Sequence, residues 1–308
     1  MTLDVAYVGN KADDLLLLAN YNQAYPNNSA GTIALANRRP IPEFGDITYA
    51  FNGGKSRYNS LQLKYTYRMR KGLMILNSFT WSKAKDNGSG SLENPNGNFP
   101  APQDFYNLEA DYGTSGYDEP FNNTTSFVWQ LPFGEGRRLG AKANPVVQAL
   151  AGGWTVSSII VARSGEIATL TYTPAASFIV SGLANDYRGA NNYRPNVIGD
   201  VYDDRSSVTS YLSKTNVVIP TDPRQQFGNA ERNTVRAPNF FQVDLVASKE
   251  FKIPVCQNTR VQFRVEAFNL FDRVNFRAPV TNRNSATYGT FLATWDARQI
   301  QVGVKLMF

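Results

Sequence analysis

Hydrophobic and polar positions alternate along this chain with a period of two. From Tyr58 onward, Leu61, Leu63, Tyr65, Tyr67 and Met69 take every second place, with Gln62, Lys64, Thr66, Arg68 and Arg70 between them. Successive side chains of a β-strand point to opposite faces, so this pattern predicts a strand with one apolar and one polar face. Arg70-Lys71-Gly72 then predicts a tight turn. Leu73, Ile75, Phe79 and Trp81 form the apolar face of a returning strand, against Ser78, Thr80 and Ser82. The unit is a long β-hairpin. The same period recurs in Leu3-Val5-Tyr7, Phe127-Trp129-Leu131, Trp154-Val156-Ile160-Ala162, Phe241-Val243-Leu245-Ala247 and Val261-Phe263-Val265-Ala267. It recurs last in Ile300, Val302, Val304, Leu306 and Phe308, which alternate with Gln299, Gln301, Gly303 and Lys305.

The length of these runs bears on the solvent each face meets. Strands of soluble sandwiches average about 5–6 residues. Crossing a bilayer at the usual tilt takes about 9–11. Several runs here reach that length. Aromatics such as Tyr65, Tyr67, Phe79, Trp81, Phe127, Trp129 and Phe308 sit toward the ends of apolar faces, where interfacial girdles form. Lys64, Arg68, Arg70, Asp244, Arg264, Glu266 and Lys305 all fall on the opposite face, which assigns them to a lumen. There they would contact a plug, line a solute path, or form ion-paired ladders between neighbouring strands, as Glu266 and Arg264 would with Lys305 or Asp244. The competing architecture is a large soluble β-sandwich or β-helix.

The connections alternate in length. Segments 70–72, 132–152 and 250–258 are short or middling, and 83–119, 164–236 and 270–297 are long and polar. Outer-membrane barrels have short periplasmic turns and long extracellular loops. The expected fold is therefore all-β, an antiparallel transmembrane β-barrel portion of about eight long strands. A further strand is expected at 47–52, inside an outer loop. In the 132–152 turn, Asn144-Pro145-Val146 predicts a short helix with Asn144 as its cap and proline in its first turn.

Composition narrows the chemistry. The 308 residues are 42% hydrophobic, 13% aromatic and only 18% charged, where soluble domains carry about 25% charge. With no histidine, Ser-His-Asp and Cys-His catalysis and HExxH zinc sites are excluded. The single cysteine, Cys256, excludes an intrachain disulfide framework. No apolar run approaches the length of a transmembrane helix. The formal charge is +6, but lysine and arginine are scattered singly, which argues against a nucleic-acid partner. Glu109, Asp111, Asp118 and Glu119 fit no EF-hand spacing and are read as a solvated loop. Phe105, Tyr106, Tyr112, Tyr117, Tyr187 and Tyr193 are candidates for outer-loop contacts with a ligand, or simply for packing the loops. No cofactor and no metal site is expected.

Short segments in a fixed order then resemble a family. They include Val5-Ala6-Tyr7-Val8-Gly9, Tyr58-Asn59-Ser60-Leu61-Gln62-Leu63, Ser78-Phe79-Thr80-Trp81-Ser82-Lys83, Ala110-Asp111-Tyr112-Gly113 and Leu131-Pro132-Phe133-Gly134. Further on come Arg194-Pro195-Asn196, Phe227-Gly228-Asn229-Ala230 with Arg232-Asn233, Phe268-Asn269-Leu270-Phe271 and Arg298-Gln299-Ile300-Gln301-Val302-Gly303. Over nearly its whole length the chain resembles the C-terminal part of an Oar-like TonB-dependent transporter barrel.

That resemblance implies energised uptake of a solute across the outer membrane. It implies a barrel of about 22 strands around an N-terminal plug, coupled through a TonB box on the plug to the TonB system. About eight strands and no recognisable plug, TonB box or signal peptide lead to the expectation that residues 1–308 are the last third of such a barrel, with Met1 an internal methionine. The implied partners are outer-membrane lipid, the missing plug and strands, the TonB system and the outer-membrane assembly machinery. That machinery would read the terminal strand through Ile300, Val302, Val304, Leu306 and Phe308. The alternatives are a small complete barrel, a non-transporting or adhesin-like surface barrel, a non-functional remnant and, least supported without histidine, a barrel enzyme.

Overall fold

The computed structural model describes residues 1–26, 33–69, 72–89, 102–175, 193–252 and 259–308. Eight long strands run through it: β1 (Thr2–Asn20), β2 (Thr48–Arg68), β3 (Leu73–Asp86), β4 (Phe121–Gln130), β5 (Trp154–Arg163), β6 (Phe240–Lys252), β7 (Arg260–Phe268) and β8 (Gln299–Met307). Each pairs antiparallel with the next in chain order. Among the described residues β1 and β8 are each paired along one side only, so the sheet is an open wall rather than a closed ring.

The register makes each face of this wall continuous. Tyr67, Ile75, Phe127, Ser158, Leu245, Ala267 and Ile300 lie side by side across seven strands. Leu73, Trp129, Val156, Ala247, Val265 and Val302 form the next row. Paired residues of an antiparallel ladder project to the same side. The residues of these two rows therefore share one face, which is apolar across the wall, whereas Met74, Val128 and Val246 fall on the other, in a row with Arg68 and Glu266. Lys64, Arg68, Asp244, Arg264, Glu266 and Lys305 project from the other. Arg70 lies outside the described residues.

Strand direction places every long connection at one end of the wall. Residues 21–47, 87–120, 164–239 and 269–298 join strands there, and 69–72, 131–153 and 253–259 join them at the other end. The three first strands are also the longest, at 19, 21 and 14 residues. Since about 9–11 residues cross a bilayer, their loop-side halves stand beyond the apolar band.

Segment 47–52 is not a separate strand. Thr48–Arg68 is continuous, and its first residues pair with Leu16–Asn20 of β1. Gly54 makes this continuity sterically possible. The register shifts between Ala12 and Leu15, where Asp14 has φ +59°, and a Cβ on Gly54 would stand 2.7 Å from that of Leu15. A bulge facing a glycine lets the ladder resume in a new register, which a period-two reading sees as a break.

In the 131–153 turn a short helix, α1 (Pro145–Ala151), forms as its cap predicts. The Asn144 side chain accepts a hydrogen bond from the Val147 N–H at 2.9 Å, and proline stands in the first turn.

The buried hydrophobic residues are concentrated outside the wall. Leu170, Val201, Tyr211, Leu212, Val217, Val235, Ala237, Tyr288 and Phe291 form one cluster, drawn from the 164–239 and 269–298 connections. A second cluster joins Ala24, Tyr172 and Tyr193, with Leu35, Ile219 and Phe227 against it. The long connections thus fold together into a cap at one end of the wall.

Candidate functional site

Buried arginines tie the cap together. Arg194 forms a salt bridge with Asp111, both almost without solvent contact, and its Nε donates to the Ala230 carbonyl at 2.8 Å. The other Asp111 oxygen accepts from the Gln103 N–H at 2.6 Å, while the Gln103 side-chain oxygen accepts from the Arg194 N–H at 2.6 Å. Arg232 donates to the Asp86 carboxylate at 2.9 Å, to the Asp111 carbonyl at 3.0 Å and to Ser89 Oγ at 2.7 Å. Arg236 donates to Asp118 Oδ2 at 2.7 Å. A charge removed from water is tolerated only when its partners are fixed in place. These pairs therefore hold the 87–120 connection against the 193–239 connection in one geometry.

Three of the short sequence segments meet in this brace. Gly228 N–H donates to the Arg194 carbonyl at 2.9 Å and Ala230 N–H to the Pro195 carbonyl at 3.1 Å. Asn229 exchanges hydrogen bonds with Asn196 and Val197. A Cβ on Gly228 would come within 2.1–2.6 Å of the Pro195–Asn196 backbone, so only glycine fits. Ala110-Asp111-Tyr112-Gly113 supplies the carboxylate. These segments lie far apart in sequence; a buried salt bridge joins two of them, and hydrogen bonds to Arg194 and Pro195 add the third.

All four acidic residues read as a solvated loop have basic partners. Glu109 meets Lys55 at 2.5 Å and Glu119 meets Arg163 at 2.7 Å. Asp111 and Asp118 are buried beside Arg194 and Arg236. The solvated-loop reading holds for Glu109, which is exposed, and is corrected for Asp111 and Asp118, whose partners 83 and 118 residues away leave no local signal. Among the described residues no group of carboxylates is arranged to hold a metal ion.

Beside the brace lies a cavity of about 870 Å³. Ser60 and Ser82 stand opposite one another in the β2–β3 ladder, on the face that bears Lys64, and both border it. Thr114, Tyr202, Arg205 and Arg236 contribute from the cap. Arg205 stacks over the Tyr202 ring at 3.6 Å, and the Tyr202 oxygen accepts from the Arg236 N–H at 2.9 Å. Tyr7, Leu61 and Trp81, one row of the apolar face, border it as well, so polar and apolar groups share the lining of a cavity of ligand size.

The loop aromatics have diverse surroundings. Phe105 packs edge-on among Tyr21, Tyr49, Phe51 and Tyr106, with centroids 5.7–6.3 Å apart. Tyr106 stacks on Tyr25 at 5.1 Å and donates to the Gln23 carbonyl at 2.8 Å. Burial, reinforced by Tyr25, pushes its phenol up to about 12. Tyr193 is buried against Tyr172 and Phe227. Tyr112 has Lys85 Nζ 6.0 Å from its ring centre. Tyr117 is 74% exposed and borders a smaller cavity of about 360 Å³ with Arg163 and Glu166. Tyr187 lies outside the described residues, as does Cys256.

The charges of the polar face pair along a strand as well as beside it. Arg264 pairs with Glu266 two residues on in β7, and Gln301 of β8 donates to Glu266. Asp244 accepts from Gln242 at 2.8 Å and from the Asn269 N–H at 2.9 Å. Glu266 thus pairs within its own strand rather than with Lys305 or Asp244. In β8, Ile300, Val302, Val304 and Leu306 are all exposed on the apolar face, and Phe308 ends the chain at 97% exposure.

An antiparallel wall with an apolar outer band, short turns at one end and a folded cap at the other defines an outer-membrane β-barrel protein. Residues 1–301 match the outer membrane beta barrel domain family, and the chain belongs to that family. Its location is the bacterial outer membrane, where the apolar face meets lipid. A comparison with proteins of curated function finds no match. Among solved structures, the outer membrane transporter YddB from Escherichia coli is similar over 98% of this chain and 30% of its own, at 11% identity and a TM-score of 0.48. BauA, the ferric preacinetobactin receptor from Acinetobacter baumannii, is similar over 98% of this chain and 29% of its own, at 12% identity and a TM-score of 0.40. The chain spans about 30% of the length of these structures.

Proposed function

We propose that this chain is the C-terminal barrel segment of a TonB-dependent outer-membrane transporter and serves energised uptake of a solute. The observation that carries the reading is the convergence of three family-like segments on the Arg194–Asp111 brace, beside a cavity bordered by both the wall and the cap. A braced cap holds the cavity walls in place without a solute, so that binding does not have to order the loops. In this reading Lys64, Arg68, Arg70, Asp244, Arg264, Glu266 and Lys305 face a lumen occupied by a plug, and Tyr106, Tyr112, Tyr117 and Tyr187 stand where a solute arrives. The segment performs no chemistry of its own. Uptake of candidate solutes by cells with and without a working TonB system tests it. Uptake lost in both the TonB-deficient strain and an Asp111→Ala variant is expected. Intact uptake without TonB would favour a passive or surface-display barrel instead.

The terminal strand has a separate role in this reading. Ile300, Val302, Val304, Leu306 and Phe308 form an apolar row ending in an aromatic, on a strand whose outer edge is unpaired among the described residues, a form that assembly machinery can pair with. Removing Phe308 is expected to lower the amount of protein inserted in the outer membrane severalfold. Unchanged insertion would exclude the role.

A further inference from the structure

The turn between β4 and β5 has a polarity that neither wall nor cap explains. Lys249 breaks the alternation of β6, because its register places it on the apolar face in a row with Trp154, Phe263 and Val304. A lysine facing lipid is costly unless its ammonium finds partners. Here it is only 5% exposed, and Nζ donates to the carbonyls of Gln148 and Ala149 at 2.8 and 2.6 Å. The Trp154 indole donates to the Leu150 carbonyl at 2.8 Å. Two side chains rooted on the apolar face thus hold the last carbonyls of α1, the end of a helix that attracts positive charge. The base of the turn is fixed as well, by Leu131 N–H to the Trp154 carbonyl at 2.9 Å and Gly153 N–H to the Phe133 carbonyl at 3.0 Å.

Docked this way, α1 leaves an apolar surface uncovered. Val146 and Leu150, four residues apart and so on one side of the helix, are 66% and 71% exposed. Arg138 and Lys142 are exposed in the same turn. Apolar side chains beside basic ones are the composition of a segment that lies in a membrane interface. The surface continues the lipid-facing band of the wall at its short-turn end.

We infer that the 132–153 turn is a membrane-interface anchor seated on the phospholipid leaflet at the short-turn end of the barrel. Val146 and Leu150 enter the boundary of the acyl chains, and Arg138 and Lys142 lie at the level of the lipid phosphates. The anchor also shields Lys249, which lets a cation stand on a face otherwise given to lipid. This holds for any barrel built on this wall, whether or not it transports a solute.

Nitroxide labels on cysteines placed singly at 135, 146 and 150 test the anchor. They are carried by the full chain in a Cys256→Ser background, in outer-membrane vesicles, with heat-dependent gel mobility as the check of folding. Labels at 146 and 150 are expected to collide severalfold more with oxygen, which concentrates in lipid, than with a water-soluble nickel chelate. The label at 135, an exposed position of the same turn, is expected to show the reverse. Labels at 146 and 150 that behave like the one at 135 would overturn the proposal.

Discussion

Ile300, Val302, Val304 and Leu306 of β8 are 55–70% exposed, whereas Leu170, Val217 and Val235 of the cap are wholly buried. The residue types are the same. In the wall, apolar side chains point outward from a sheet only one residue thick, and what covers them is lipid. In the cap they point inward onto Tyr211, Tyr288 and Phe291, as in a water-soluble domain. Polar groups show the converse. Asp111 and Asp118 of the cap are buried and braced by arginine, while Asp244 and Glu266 of the wall stand on the face away from lipid. Each region hides what its own solvent rejects, and one chain follows both rules because the connections leave the bilayer at one end.

Breaking the cap brace should cost most. Asp111→Ala leaves Arg194 buried without its carboxylate, and about 3–5 kcal/mol of stability is expected to be lost. Denaturant titration of folded protein in detergent measures the loss, and limited proteolysis of the 87–120 connection shows where the structure opens. A value near zero would mean that the cap does not depend on the brace.

Charge placed on the wall separates its two faces. Val265→Lys puts an ammonium in the middle of the lipid band, and about 2–4 kcal/mol of destabilisation is expected. Arg264→Lys, one residue away on the opposite face, is expected to stay within about 0.5 kcal/mol. Folded fraction at increasing urea compares the two, and equal effects would erase the distinction between faces.

The smallest effect is a titration. Burial, with help from Tyr202, pushes the Tyr211 phenol up to about 12, and its hydroxyl donates to the Arg236 carbonyl at 2.7 Å. A group whose folded pKa is raised contributes stability that is intact below its unfolded value, about 10, and lost as pH rises through about 12. The cap should therefore loosen between pH 10 and 12 while the wall persists. The phenolate absorbance difference between wild type and Tyr211→Phe measures this, and a midpoint near 10 would contradict it.

The wall was legible from sequence because its rule is local. Lipid on one side forces a period of two, and Val261 to Ala267 displays it without reference to any other strand. The alternation of short and long connections and the Asn144 cap are equally local. The cap was not legible, because its determinants are pairs such as Arg194–Asp111 and Arg232–Asp86, separated by 83 and 146 residues. The bulge opposite Gly54 hides the full length of β2 from a period-two reading, since it shifts the register within the strand pair. Lys249 gives no local signal for a related reason: it violates the period of its strand, and its partners lie in a helix a hundred residues earlier.

Single cysteines at positions 261 to 267 of β7, in outer membranes exposed to a membrane-impermeant maleimide, test the two-solvent account most directly. The account predicts labelling at 262, 264 and 266 and protection at 261, 263, 265 and 267. Uniform labelling, or protection without a period of two, would contradict it.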